Sequence, residues 1–236
     1  MIPAIWGEMD TDRRMKGHKF HIHGASLMAL ASGALWWAEQ EILTVSDLHL
    51  GKSERIARRG GPMLPPYEAR DTLIRLENDI QTTAARTVIC LGDSFDDLQA
   101  AQSLSEDEIL WITRLQAGRK WIWIEGNHDP GPVQFGGSHL GEFSRSPLTF
   151  RHIAAQAASG EISGHYHPKT TLHARGRSIT RPCFIYDENR VILPAYGTFT
   201  GGLKSTDAQL QNLFGASARV VMTGNNPQVL PMPRVG

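Results

Sequence analysis

Residues 87–93 read TVICLGD, an apolar run with β-branched Val88 and Ile89 that is closed by Gly92 and ended by Asp93. A run this short, bounded by a glycine, has the make-up of a strand buried on both faces. The same device repeats on either side. Residues 41–49, EILTVSDLH, carry Asp47 and His49 at the end of a short β-rich run. Residues 121–129, WIWIEGNHD, carry Asn127, His128 and Asp129 at the end of another. Between these runs, 68–85 has Leu73, Leu76 and Ile80 at helical steps. Ser105 and Glu108 form a capping-box pattern before a helix through Leu115, with Gly118 as its stop. Strand, helix, strand, helix, strand in this order predicts an α/β fold, in which ligands gather beyond the carboxyl ends of the strands.

The second half changes character. Residues 148–153, 161–163, 170–174, 182–187, 190–194 and 218–223 read as strands separated by turns, with Asp187-Glu188-Asn189 as a hairpin turn. Near the start, 19–30 and 34–39 read as two strands turning at Ser32-Gly33, and 1–18 as a poorly ordered beginning. The stretch from Gly51 to Pro66 reads as a loop bearing Lys52, Arg55, Arg58 and Arg59. Trp121 and Trp123 belong to the core on this reading, and Trp36 and Trp37 point to opposite faces of a strand. No repeat or linker divides the chain, so residues 1–236 are expected to form one domain.

Composition sets the outer limits. With 41% hydrophobic and 20% charged residues, a substantial core is within reach. Twenty-four basic residues balance twenty-four acidic ones, so nothing in the overall charge announces nucleic acid. Cys90 and Cys183 sit far apart in apolar runs and read as buried, reduced thiols. No segment has the roughly 18 apolar residues that would cross a bilayer, and the amino terminus lacks the layout of a secretory signal. A cytoplasmic protein with no membrane attachment is expected.

The chemistry gathers around SGHYH, residues 163–167, where His165 and His167 stand one residue apart. Imidazoles at this spacing lie on one side of an extended segment. Taken singly, each motif has an ordinary explanation. Gly-Asp makes Asx turns, Asn and Asp cap helices, and a histidine pair can sit on a strand edge. Taken together they supply enough oxygen and nitrogen donors for two metal ions, each donor following a short apolar run.

In this order Asp-x-His, Gly-Asp, Gly-Asn-His-Asp, a lone His and Gly-His-x-His resemble the calcineurin-like binuclear metallophosphoesterase superfamily across 47–167. More narrowly, SDLHLGKSERIARRGGPMLPP, VICLGDSFDD, LTFRH, GEISGHYHP, RPCFIYD and LPAYGTFTGGL resemble the ligase-associated DNA damage response endonucleases, the bacterial PdeM-type branch. One departure is visible: Asp96 stands where that branch is expected to have His. The resemblance implies a four-layer α-β-β-α sandwich of two mixed sheets flanked by helices. It implies that Asp47, His49 and His167 hold one metal, that Asn127, His152 and His165 hold a second, and that Asp93 bridges them. For the lone histidine, His139 competes with His152; LTFRH reads as a strand delivering His152, whereas GSHL lies in a glycine-rich loop. His128 would face the substrate as acid or charge stabiliser, with Asp129 orienting its ring.

Such a site suits hydrolysis of a phosphodiester by water that two metals activate. Mixed Asp, Asn and His ligation without thiolate favours Mn²⁺, with Fe or Zn as alternatives. The branch implies DNA as substrate, single-stranded in the first instance, and functional association with a DNA ligase, a helicase and an exonuclease. Lys52, Arg55, Arg58 and Arg59 could track the nucleic-acid backbone or form a solvated charged loop. A small-molecule phosphodiesterase or nucleotide pyrophosphohydrolase is the alternative activity, and a non-catalytic scaffold on the same fold a more remote one.

Overall fold

A computed structural model describes residues 15–62, 64–65, 67–131, 134–174 and 176–234. The chain opens with an antiparallel meander, β1 (Gly17–Ile22), β2 (Ala25–Leu30) and β3 (Leu35–Trp37), leading to β4 (Ile42–Val45). Two helices follow, α1 (Lys52–Arg58) and α2 (Glu68–Thr83), then β5 (Thr87–Leu91), α3 (Leu98–Gln102), α4 (Glu106–Gln116) and β6 (Lys120–Ile124). Next come β7 (Ser138–Leu140), β8 (Glu142–Arg145), β9 (Leu148–Arg151), β10 (Glu161–Ser163), β11 (Lys169–Ala174), β12 (Arg177–Tyr186) and β13 (Arg190–Ile192). The last elements are α5 (Ala208–Gln211), β14 (Arg219–Met222) and β15 (Gln228–Pro231).

These strands make two mixed sheets. The first runs β1-β2-β3-β4-β5-β6-β7, antiparallel up to β4 and parallel from β4 to β7. The second runs β15-β14-β12-β13-β10-β9-β8, with β11 paired to β12; its centre, β9, β10 and β13, is parallel. Alternate side chains of the central strands serve two different cores. Val88, Cys90, Trp121 and Trp123 face Leu73, Leu76 and Ile80 of α2 and Ile112 and Leu115 of α4. Ile89, Leu91, Ile122 and Ile124 face Phe150, Ile162, Phe184 and Val221 of the second sheet. Both registers are apolar because both faces are covered. A third cluster, with Ile185, Ile192 and Val220 against Leu210, Phe214 and Met232, closes the outer face of the second sheet. The result is the α/β sandwich of two mixed sheets flanked by helices, its fourth layer reduced to α5 and the segments beside it.

Several expected elements differ. The stretch 19–30 is two strands and not one, because His23 and Gly24 take left-handed backbone (φ 47° and 83°) and turn the chain. Residues 17–18 belong to β1, while 1–14 of the expected poorly ordered beginning lie outside the described residues. The basic loop contains α1, whose seven residues hold one aliphatic side chain larger than alanine, Ile56, too few to show a period. Its start is capped from another helix: Ser53 N–H donates to the carboxylate of Glu68 in α2 at 3.1 Å. GSHL is not a loop but β7, paired with β6 at Trp123–His139. Elsewhere the pattern reads true. The capping box at Ser105 and Glu108 is formed, and Asp187 accepts N–H bonds from Asn189 and Arg190 in the β12–β13 turn.

Ile162, fully buried in the middle of the second sheet, carries the chain into Gly164 and His165. Ile162→Ala is expected to lower unfolding free energy by about 2–5 kcal/mol in a chemical-denaturation experiment. An unchanged midpoint would show that the sheets do not close on this residue.

Candidate metal centre

Every expected ligand follows the carboxyl end of a parallel strand. Asp47 and His49 come after β4, Asp93 after β5, Asn127 after β6, His152 directly after β9, and His165 and His167 after β10. The chain turns sharply at these points. Asp47, His49, Asp93, His165 and His167 all have positive φ, between 46° and 73°. Left-handed backbone costs an ordinary residue about 1–2 kcal/mol, and Asp, Asn and His tolerate it better than most. The two histidines of SGHYH therefore converge through left-handed turns, not along one side of an extended strand as their spacing suggested.

Hydrogen bonds between the loops hold these turns. Asp47 and His49 N–H donate to the Gly92 and Asp93 carbonyls (3.2 and 2.9 Å), and Gly164 N–H to that of His152 (3.0 Å). Asp129 is the hub of the 93–95 loop: its carboxylate accepts N–H bonds from Asp93, Ser94, Phe95 and Gly126 at 2.8–3.2 Å. Burial, reinforced by the neighbouring Asp93 charge, pushes its pKa up to about 6 against the pull of these amides. Asp129 thus does not orient His128 as expected. The His128 ring is held instead by the backbone carbonyl of Asp96, 2.9 Å from Nδ1.

Two groups of donors result. In the first, His49 Nε2 and His167 Nε2 stand 3.4 Å apart, and His167 Nε2 is 3.1 Å from Asp47 Oδ1. In the second, His152 Nε2 lies 3.2 Å from His165 Nδ1, 3.4 Å from Asp93 Oδ2 and 3.0 Å from Asn127 Oδ1. The outer atoms fix which lone pairs face inward. His152 Nδ1–H donates to the Leu91 carbonyl at 2.8 Å, so Nε2, which faces Asp93, is the ring nitrogen that can give up its proton to a cation. Ser46 Oγ–H at 2.5 Å and His165 N–H at 3.0 Å both donate to Asp47 Oδ2. Asp47 Oδ1 is buried and makes no well-directed hydrogen bond, although His167 Nε2 lies 3.1 Å away. A buried carboxylate oxygen so poorly satisfied, beside pairs of converging imidazole nitrogens, is costly unless a cation meets it. These residues fit divalent metal ions, one per group. Burial disfavours ionisation of Asp93, yet His152 and the His128 N–H hold its pKa down at about 2. Asp47 is likewise lowered, despite complete burial, by His167, His152 and Ser46. Both carboxylates are therefore charged at neutral pH.

His139 lies outside the centre, its ring stacked on Trp123 and its Nε2 3.4 Å from the Phe135 carbonyl. The basic residues of α1 do not form an open track. Asp96, fully buried, takes His49 Nδ1 at 2.8 Å, Lys52 Nζ at 3.6 Å and Arg55 Nε. Burial opposes its charge, but these partners hold its carboxyl well below the usual range. Arg58 is bonded to Glu54, Asp97 and Gln99. Among the described residues only Arg59 of the four is left without a side-chain partner. Asp96 is the group that sequence reasoning missed: a carboxylate fixing the ring of His49, with Lys52 and Arg55 balancing its charge.

The sequence profile described as calcineurin-like phosphoesterase matches residues 41–195. Among solved structures, the chain is similar to the nuclease MPE of Pseudomonas putida. The two are 28% identical, with 91% of this chain and 100% of that one covered and a TM-score of 0.71. No curated protein matches.

Backbone proximity makes the centre intolerant of added atoms. A Cβ on Gly126 would lie 2.2 Å from both the amide nitrogen and Oδ1 of Asp93, whereas one on Gly141 would meet nothing within 4 Å. Gly126→Ala is expected to cost about 1–3 kcal/mol of stability, with Gly141→Ala near neutral as control, both read by thermal and chemical denaturation. Equal effects would show that the loops around Asp93 have room to yield.

Proposed function

The chain belongs to the calcineurin-like phosphoesterase family, and from that membership we propose that it is a metal-dependent phosphodiesterase, an endonuclease acting on single-stranded DNA. The observation that carries this is the meeting of two inward-facing donor groups at adjoining strand ends. We assign Asp47, His49 and His167 to one ion, Asn127, His152 and His165 to the other, and Asp93 to both. The nuclease likeness at 28% identity supports a nucleic-acid substrate, and the resemblance of SDLHLGKSERIARRGGPMLPP and LPAYGTFTGGL supports the PdeM-type repair branch. Association with a DNA ligase, a helicase and an exonuclease belongs to the same proposal, as does action of the whole chain as one cytoplasmic domain.

Oxygen and nitrogen donors without thiolate favour manganese, with iron or zinc next. Bound there, two such ions would supply positive charge toward the phosphate oxygens and acidify a water molecule. The remaining work falls to side chains. Asp47 and Asp93, both ionised, fix the charge balance of the centre. Asp96 holds His49 by Nδ1, so that Nε2 points inward. His128 donates from Nδ1 to the Asp96 carbonyl, and its Nε2 lies 4.0 Å from Asp93 Oδ2, at the mouth of the site. When protonated, Nε2 can give its proton to the departing alkoxide oxygen. Arg59, exposed at the end of α1, is the basic residue left to meet a strand backbone.

Circular single-stranded DNA should be nicked in manganese and not after chelation, faster than cyclic nucleotides are opened, and not by Asp93→Ala. Turnover of cyclic nucleotides with no nicking would replace the nuclease with a small-molecule phosphodiesterase. His128→Ala should lower kcat by about 10²–10⁴ while metal stoichiometry stays the same; unchanged kcat would remove His128 as the acid. Asp96→Asn should weaken metal binding by about 10–100-fold in a calorimetric titration, and equal affinity would mean that Asp96 does not position His49.

A further inference from the structure

Two exposed aromatic side chains have no part in the chemistry above. Tyr67, at the start of α2, is 54% exposed, and Phe199 is 40% exposed. Among the described residues they are the two exposed large aromatics, and their rings meet at 5.9 Å with a 52° tilt. A protein with so many buried rings has left these two in water, side by side.

The backbone around Phe199 ties it to the ligands. Tyr196 and Gly197 N–H donate to the Ser46 and Asp47 carbonyls (2.7 and 3.0 Å), and Leu203 N–H to that of Tyr166 (3.1 Å), between the two ligand histidines. Lys169 Nζ donates to the Thr200 carbonyl at 3.0 Å. On the other side Thr198 is bonded to Asp71 and Thr72 of α2, one turn beyond Tyr67. Phe199 itself has φ 61°. Left-handed backbone under a bulky aromatic is a true outlier, and such strain gathers at functional sites. Packing does not account for it, since the ring is not buried.

We propose that Tyr67 and Phe199 are a stacking platform for an unpaired base of the strand whose phosphodiester sits at the metal centre. This rests on the nuclease reading above. Aromatic faces take any base, so the platform gives little sequence preference. It does select for single strands, because a base in a duplex has both faces covered by its neighbours. Binding by charge alone would need only the backbone; binding here would need the base.

The test compares a single-stranded oligonucleotide with one of equal length carrying a run of abasic sites. Affinity is read by stopped-flow fluorescence anisotropy on the manganese-loaded protein, before cleavage proceeds. Wild-type protein should bind the base-bearing strand about 5–150-fold more tightly, the range that base–aromatic stacking gives. Tyr67→Leu and Phe199→Leu should each lose most of that ratio, and Phe199→Gly should lose it without a lower melting temperature, since glycine accepts the left-handed backbone. Equal binding of both strands by wild type, binding of neither, or variants that keep the ratio would overturn the platform. So would a collapse in melting temperature of Phe199→Gly, which would make the ring a packing element. Nicking of both strands in manganese, alongside equal binding, would leave the nuclease reading standing without it. Hydrolysis of small diesters with nicking of neither would remove both.

Discussion

The structure depends on gathering imidazole nitrogens and carboxylates at one buried point. His49 Nε2 and His167 Nε2 approach to 3.4 Å, and His152 Nε2 and His165 Nδ1 to 3.2 Å, around two ionised carboxylates. The gathering is imposed by backbone turns that are unfavourable, five of them left-handed at non-glycine residues. What offsets this is the rigid end of a sandwich buried on both sides. Its inter-loop hydrogen bonds, each contributing about 0.5–1.5 kcal/mol, lock one loop against the next. A cation at each group would replace the protons these nitrogens share and be ligated by all of them, which is why the arrangement reads as a binding site.

The groups behind the ligands do as much as the ligands. Asp129 gathers four amides and so sets the path of the 93–95 loop, and Ser46 uses up one oxygen of Asp47 so that the other points inward. Asp96 combines two roles, its carboxylate on His49 and its carbonyl on His128. The basic residues of α1 are largely consumed in balancing that buried charge. Little of the positive charge on α1 is therefore left to act beyond the site.

Much of this was legible beforehand where a pattern has one physical cause. TVICL and WIWI are apolar on both registers because two cores need them, and Ser105 with Glu108 writes its helix start locally. The donors of the centre could be picked out because each follows such a run. The failures lie where the cause is tertiary. Helix α1 is capped by Glu68 from another helix, and β7 exists only because β6 offers it an edge. The resemblance makes Asp129 an orienting acid for His128, yet its partners are amides more than thirty residues away as well as Gly126. Asp96 was visible as a departure, but its partners on α1 could not be seen while α1 was read as loop. The left-handed turns at His165 and His167 leave no mark in a two-residue spacing.

The most direct measurement is anomalous diffraction at the manganese edge from crystals grown with the metal. Two peaks are expected, one enclosed by Asp47, His49 and His167 and the other by Asn127, His152 and His165, with Asp93 reaching both. No peak among these residues, or a single one that leaves either group empty at saturating metal, would contradict the two-ion centre.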